Sequence, residues 1–163
     1  MNKIQWCLDI SKGIELITPN ERLARAYVKK AEDALRASVS LKDNRDWKIT
    51  ASYYTMYFSL YSLMMRMGVK CENHSCSIEF MNCFLKEYFS EADVDLLKKS
   101  AKSRVDVQYY SDRNISEKRY ERISKNRARF LSKCKKVNAY IDEKTIRSIR
   151  SELREYKKKL NSS

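Results

Sequence analysis

Residues 51–68 read "ASYYTMYFSLYSLMMRMG", and the reading of this stretch decides the fold. On a helix, Tyr54, Phe58, Tyr61 and Met65 make one apolar stripe, and Tyr53, Tyr57, Leu60 and Met64 make a neighbouring one. A helix that is apolar nearly all round has to be covered on two sides. Two arrangements meet that demand. One stripe faces a bundle core and the other a second subunit, or the helix is simply the centre of the bundle. The tyrosines, serines, Thr55 and Arg66 within the stretch argue against a membrane span.

Outward from this helix, the same spacing recurs. Thr18, Pro19 and Glu21 suggest a capping box that opens a preceding helix, with Leu23, Ala26, Tyr27, Ala31, Ala34, Leu35 and Ser38 as its inward positions. The tyrosine-rich helix itself is expected to be capped by Asp46 and stopped at Gly68. A third helix is predicted over 76–89, a fourth opened by Ser90 and Asp93, a fifth introduced by Asn114 and Glu117, and a sixth capped by Asp142. Two glycines and one proline in 163 residues leave little turn chemistry for hairpins. The expected fold is therefore all-α, an up-and-down antiparallel helical bundle of about five to six helices. Residues 1–140 would form the bundle with its N-terminal leader, and residues 141–163 a C-terminal basic helix packed on the same domain.

The formal charge of +13 is uneven, since residues 1–90 carry 13 basic against 10 acidic side chains and residues 91–163 carry 21 against 11. A field of that sign concentrates polyanions and acidic partners, and equally describes a solvated helix face. Five cysteines, Cys7, Cys71, Cys76, Cys83 and Cys134, stand at irregular spacing behind no signal-like apolar run, so reduced thiols in a cytoplasmic protein are expected. Cys71, His74, Cys76 and Cys83 contain no CxxC knuckle, and no metal or cofactor is expected.

The chemistry concentrates in "SRVDVQYYSDR", residues 103–113. Arg104 and Gln108 share a helix face, as do Asp106, Tyr109 and Tyr110, while Arg104 and Tyr109 point about 140° apart. His74, the only histidine, is expected as a loop or first-turn residue that hydrogen-bonds backbone.

Taken in order, "WCLDISKGIELITPNERLARAYVKKAEDAL", "ASYYTMYFSLYSLMMRMG", "ENHSCSIEF" and "RVDVQYYSDRNISEKRYERISKNRARFLSK" resemble HEPN domains, in particular an archaea-rich branch whose motif is an arginine followed by an aspartate-tyrosine pair. The resemblance implies a helical bundle, usually a homodimer, that binds a nucleotide or RNA. Many members are metal-independent ribonucleases, often toxins of toxin-antitoxin pairs neutralised by a small nucleotidyltransferase partner. Arg104 matches the family's arginine, Tyr109 stands where a histidine makes the motif catalytic, and Gln108 replaces the aspartate of the branch. The binding candidates that follow are Arg104, Asp106, Gln108, Tyr109, Tyr110, Tyr53 and Tyr54. Arg104, Tyr109 and His74 are the only candidates for catalysis. Strand cleavage by the 2′-hydroxyl needs a base near neutrality and a cation for the phosphorane. Tyrosine, with a reference pKa of about 10, would need a shift of roughly three units, about 4 kcal/mol, to serve as that base. The expectation is a binder without its catalytic histidine. The alternatives are a ribonuclease toxin that uses His74 or a perturbed tyrosine, and a basic helical scaffold.

Overall fold

The computed structural model describes residues 2–161. Helices alternate with one small β ladder in the order α1 (Lys3–Asp9), β1 (Ile14–Leu16), α2 (Glu21–Ser40), α3 (Arg45–Met67), β2 (Val69–Cys71), α4 (His74–Phe84), α5 (Glu91–Tyr109), α6 (Glu117–Tyr140) and α7 (Glu143–Asn161). The fold is mostly helical, with seven helices among the described residues rather than five to six. It is not strictly all-α, because β1 and β2 pair antiparallel with Ile14 opposite Cys71 and Leu16 opposite Val69.

That ladder explains a misplaced helix start. The backbone N–H groups of Ile17 and Asn20 donate to the carbonyls of Gly68 and Met65, both at 2.9 Å, so Thr18 and Pro19 stay outside the helix. Asn20 caps α2 instead, its side chain accepting from the Leu23 N–H at 2.8 Å. Asn44 rather than Asp46 caps α3, Asn73 caps α4, which starts at His74, two residues ahead of the expected 76, and Ser116 rather than Asn114 caps α6. Asparagine and serine oxygens reach the free N–H groups of a first turn equally well, which is why neighbouring candidates are hard to rank from sequence. Two caps lie where the sequence puts them. Ser90 and Asp93 form a reciprocal capping box on α5, and the Asp142 carboxylate accepts from the Thr145 N–H.

α3 is the central helix, packed against α2, α5 and α6. Tyr53, Tyr57, Leu60 and Met64 are buried, but so are Tyr61 and Met65 of the second stripe, leaving only Tyr54 and Phe58 half-exposed. Neighbouring helices of the same chain thus cover most of the face that a second subunit was expected to take. α3 ends at Gly68, whose φ of 69° is the left-handed conformation that glycine adopts at little cost.

The thiols also depart from expectation. Cys7 of α1 and Cys76 of α4 are joined in a disulfide, while Cys71, Cys83 and Cys134 are free. α1 packs on α4 and brings the two Cα atoms to 5.4 Å, within bonding reach, a closeness that a sequence separation of 69 residues does not display. Among the described residues no helix is long and apolar enough to cross a membrane.

Candidate functional site

The tyrosines of α3 form a ladder along the side that faces α4 and α5. Tyr53 stacks on Tyr57 and Tyr57 on Tyr61, with centroids 5.7 and 5.9 Å apart, while Tyr54 stacks on Phe58 at 5.2 Å. His74, on the first turn of α4, lies flat on Tyr57 at 4.0 Å and makes a 2.6 Å hydrogen bond through Nδ1 to the Tyr53 hydroxyl. It is a first-turn residue, as expected, but its partner is a side chain of another helix rather than backbone. Asn73 explains the placement, since its side chain holds the Ser75 and Cys76 N–H groups and so starts α4 at His74.

Arg104 reaches the same ladder from α5. Its guanidinium carbon lies 5.3 Å from the centre of the Tyr53 ring and 5.7 Å from that of Tyr54, within cation–π range. Nη1 donates to Gln108 Oε1 at 3.0 Å and lies 3.5 Å from the Tyr54 hydroxyl. Nε is buried and has no hydrogen-bond partner. An unsatisfied charged donor is costly unless something accepts from it. Burial, followed by the charge of Arg104, lowers the pKa of His74, so the imidazole is neutral at pH 7. Burial pushes the Tyr53 and Tyr57 phenols well above their ordinary range, and both stay protonated.

The remaining candidates sit elsewhere on α5. Asp106 is buried with Lys102 Nζ at 2.9 Å on one carboxylate oxygen and Arg113 Nη1 at 2.8 Å on the other, and these two cations hold its carboxyl below the usual range. Its environment suits a clamp for the end of α5 and does not suit a base. Tyr109 is 71% exposed, and Tyr110 is the exposed C-cap of α5 with the Arg113 guanidinium 3.5 Å from its ring centre. Neither packs inward with a bonded hydroxyl, because α5 ends here. Among the described residues no hydrogen bond or ring contact joins Tyr109 or Tyr110 to Arg104.

Cys71 donates to the Asn73 carbonyl and Cys83 to Glu79, and no group of three or more His, Cys, Asp or Glu side chains among the described residues is arranged to hold a metal. One feature of this face escaped the sequence reading. Trp47, 59% exposed on the first turn of α3, lines a cavity of about 470 Å³ together with Gln108 and Tyr109 of α5. Its signal in the sequence was an aromatic residue about two turns ahead of Tyr53 and Tyr54, where the two apolar stripes begin.

The central aromatic helix, the arginine seated on it from α5 and the histidine that opens α4 define a helical domain built around a polar aromatic seam. The model of the HEPN domain matches residues 24–137, most of the chain, and the protein belongs to the HEPN domain family. No curated protein sequence matches the chain.

Proposed function

We propose that this HEPN protein binds a phosphate of a nucleotide or of RNA at Arg104 and holds it without cutting. The observation that carries the reading is the half-exposed Arg104 guanidinium, seated over Tyr53 and Tyr54, tied to the neutral Gln108 and paired with no carboxylate among the described residues. A phosphate at the half-exposed guanidinium supplies the missing counter-charge through a charge-assisted bond from a terminal nitrogen. Gln108 and the Tyr54 hydroxyl add neutral polar contacts beside it.

The absence of cleavage follows from proton positions. We assign the Tyr53 hydroxyl as the donor to His74 Nδ1, its one hydrogen-bond partner among the described residues. The imidazole proton then sits on Nε2, which makes the ring a donor and leaves it unable to accept the 2′-hydroxyl proton. Tyr109 is an exposed phenol with no hydrogen bond or ring contact to Arg104 among the described residues, and Gln108 does not titrate. A second reading rests on the same hydrogen bond. If Tyr53 accepted instead, Nε2 would become a base close to the charge of Arg104, and the protein would be a metal-independent ribonuclease with a relocated histidine.

The rest of the proposal follows the family. The domain is a cytoplasmic homodimer with an up-and-down antiparallel helix order, residues 1–140 forming the HEPN unit and 141–163 a basic helix packed on it. Its partner is a small nucleotidyltransferase, as in toxin-antitoxin pairs.

The test is binding of a labelled single-stranded RNA at two salt concentrations. Affinity should fall with salt at a slope of about −0.7 per phosphate contacted. Arg104→Ala should weaken binding by about 10- to 150-fold, the worth of one charged hydrogen bond. Lys136→Ala, at an exposed position of α6, should change little. Absence of binding at low salt, or equal affinity of wild type and Arg104→Ala, would overturn the reading.

A further inference from the structure

We infer that the cavity between the first turn of α3 and the last turn of α5 is a base pocket, which takes a nucleobase of single-stranded RNA next to the phosphate on Arg104. The inference rests on the phosphate reading above and adds the substrate class. Two large aromatic side chains, Trp47 at 59% exposure and Tyr109 at 71%, flank a concavity of about 470 Å³. That volume lies within the range of small-ligand sites. Exposed aromatics that flank a hollow offer π-faces to a base, and stacking contributes substantially to single-strand binding. Thr50, buried on α3, lines the bottom of the hollow.

Gln108 connects the two sites. It lines the cavity and also accepts from Arg104 Nη1 at 3.0 Å, so a base in the hollow and a phosphate at the guanidinium would be neighbours on one strand. Asp46 decides which part of a nucleotide enters. Asp46 lines the cavity, and its carboxylate would repel a phosphate there and accept a hydrogen bond from an exocyclic amine such as N4 of cytosine. Uracil presents a carbonyl at the same position and meets the carboxylate acceptor to acceptor. The pocket therefore favours amino-bearing bases over uracil.

The experiment measures affinities of a ten-nucleotide oligocytidylate, an oligouridylate and an abasic ribose-phosphate oligomer of equal length for wild type and for Trp47→Ala, Tyr109→Ala, Asp46→Asn and Arg104→Ala. Trp47→Ala should weaken oligocytidylate by about 5- to 150-fold, the span of one stacked base, and leave the abasic oligomer unchanged. Asp46→Asn should narrow the preference for oligocytidylate over oligouridylate. Arg104→Ala should weaken all three. If Trp47→Ala and Tyr109→Ala leave oligocytidylate affinity unchanged while Arg104→Ala lowers it, the base pocket is wrong and the phosphate site stands. If Arg104→Ala changes nothing, both fall. Sedimentation of each variant supplies the remaining check: a loss of dimer mass in Trp47→Ala with no loss of RNA affinity would assign this surface to a second copy of the chain and overturn the pocket.

Discussion

Arg150 and Arg104 are both partly buried arginines pressed against α3, and they do opposite things. Arg150 of α7 donates through Nη1 to the carbonyls of Ile17, Met67 and Gly68 at 2.9, 2.9 and 2.8 Å. Those carbonyls lie where β1 and the end of α3 meet, and the guanidinium ties α7 to both. Arg104 has one side-chain acceptor at good distance, two aromatic rings and an orphaned Nε. The difference teaches that a buried cation becomes a candidate site by what it lacks. Arg150 holds three backbone carbonyls through one nitrogen and acts as a strut, whereas Arg104 meets one amide oxygen and two rings and keeps a half-exposed guanidinium open to an anion.

The comparison extends to the basic C-terminal half. Arg129 and Lys133 of α6 meet the buried Asp93 at 3.2 and 2.6 Å, Arg122 meets Asp95 at 2.8 Å, and Lys135 meets Glu32 of α2 at 2.6 Å. Burial alone would raise the Asp93 carboxyl, but Lys133 and Ser90 outweigh it and hold the carboxyl low. These four cations fasten α6 to α5 and α2. Net charge fitted a polyanion surface and a solvated face equally over residues 91–163, and Arg104 of α5 lies within that half.

The largest way to strain this contrast is Gly68→Ala. A Cβ there would overlap Arg150 Nη1 and the Ile17 carbonyl at a left-handed φ, and loss of about 3 kcal/mol in urea unfolding is expected. A change within 0.5 kcal/mol would contradict the close packing at this turn. Arg150→Ala comes next and should cost about 2 kcal/mol through the loss of Nη1 donation to the Ile17, Met67 and Gly68 carbonyls, with RNA affinity unchanged. Arg104→Ala should reverse that pattern, with a stability change under about 1 kcal/mol and a large loss of RNA affinity. Equal stability losses for the two arginines would dissolve the distinction between strut and site.

The smallest effect is a pH slope. His74 has its pKa lowered in the folded chain, first by burial and then by Arg104, so the unfolded chain binds a proton that the folded chain resists. Stability should therefore fall as pH drops through the ordinary histidine range near 6.5, and be fully present above it. His74→Gln should flatten the unfolding free energy between about pH 7.5 and 5.5, because the chain has no other histidine. A slope that survives the substitution would place the titration elsewhere.

The helical class, the central place of residues 51–68, the Gly68 stop and the Ser90–Asp93 box were legible because each follows from local spacing and cap chemistry. The pairing of Arg104 with Gln108 was legible for the same reason, being four residues apart on one helix. What was not legible depends on elements distant in sequence. The β1–β2 ladder pairs two three-residue strands more than fifty positions apart, and it moves the start of α2. The bond between Tyr53 and His74 and the joining of Cys7 to Cys76 depend on how α4 packs against α3 and α1. The exposure of Tyr109 and Tyr110 was not legible because the end of α5 at Tyr109 is not marked by glycine or proline.

The central claim is that the Arg104 site holds RNA and leaves it intact, and it is tested most directly by incubating wild type and His74→Ala with a labelled single-stranded RNA in EDTA. The account predicts that wild type shifts the RNA in a binding assay, that neither protein produces fragments, and that the two are equally inert. Metal-independent cleavage by wild type that disappears in His74→Ala would contradict it and make His74 the base of an active ribonuclease, since a general base is worth about 10²- to 10⁴-fold in rate.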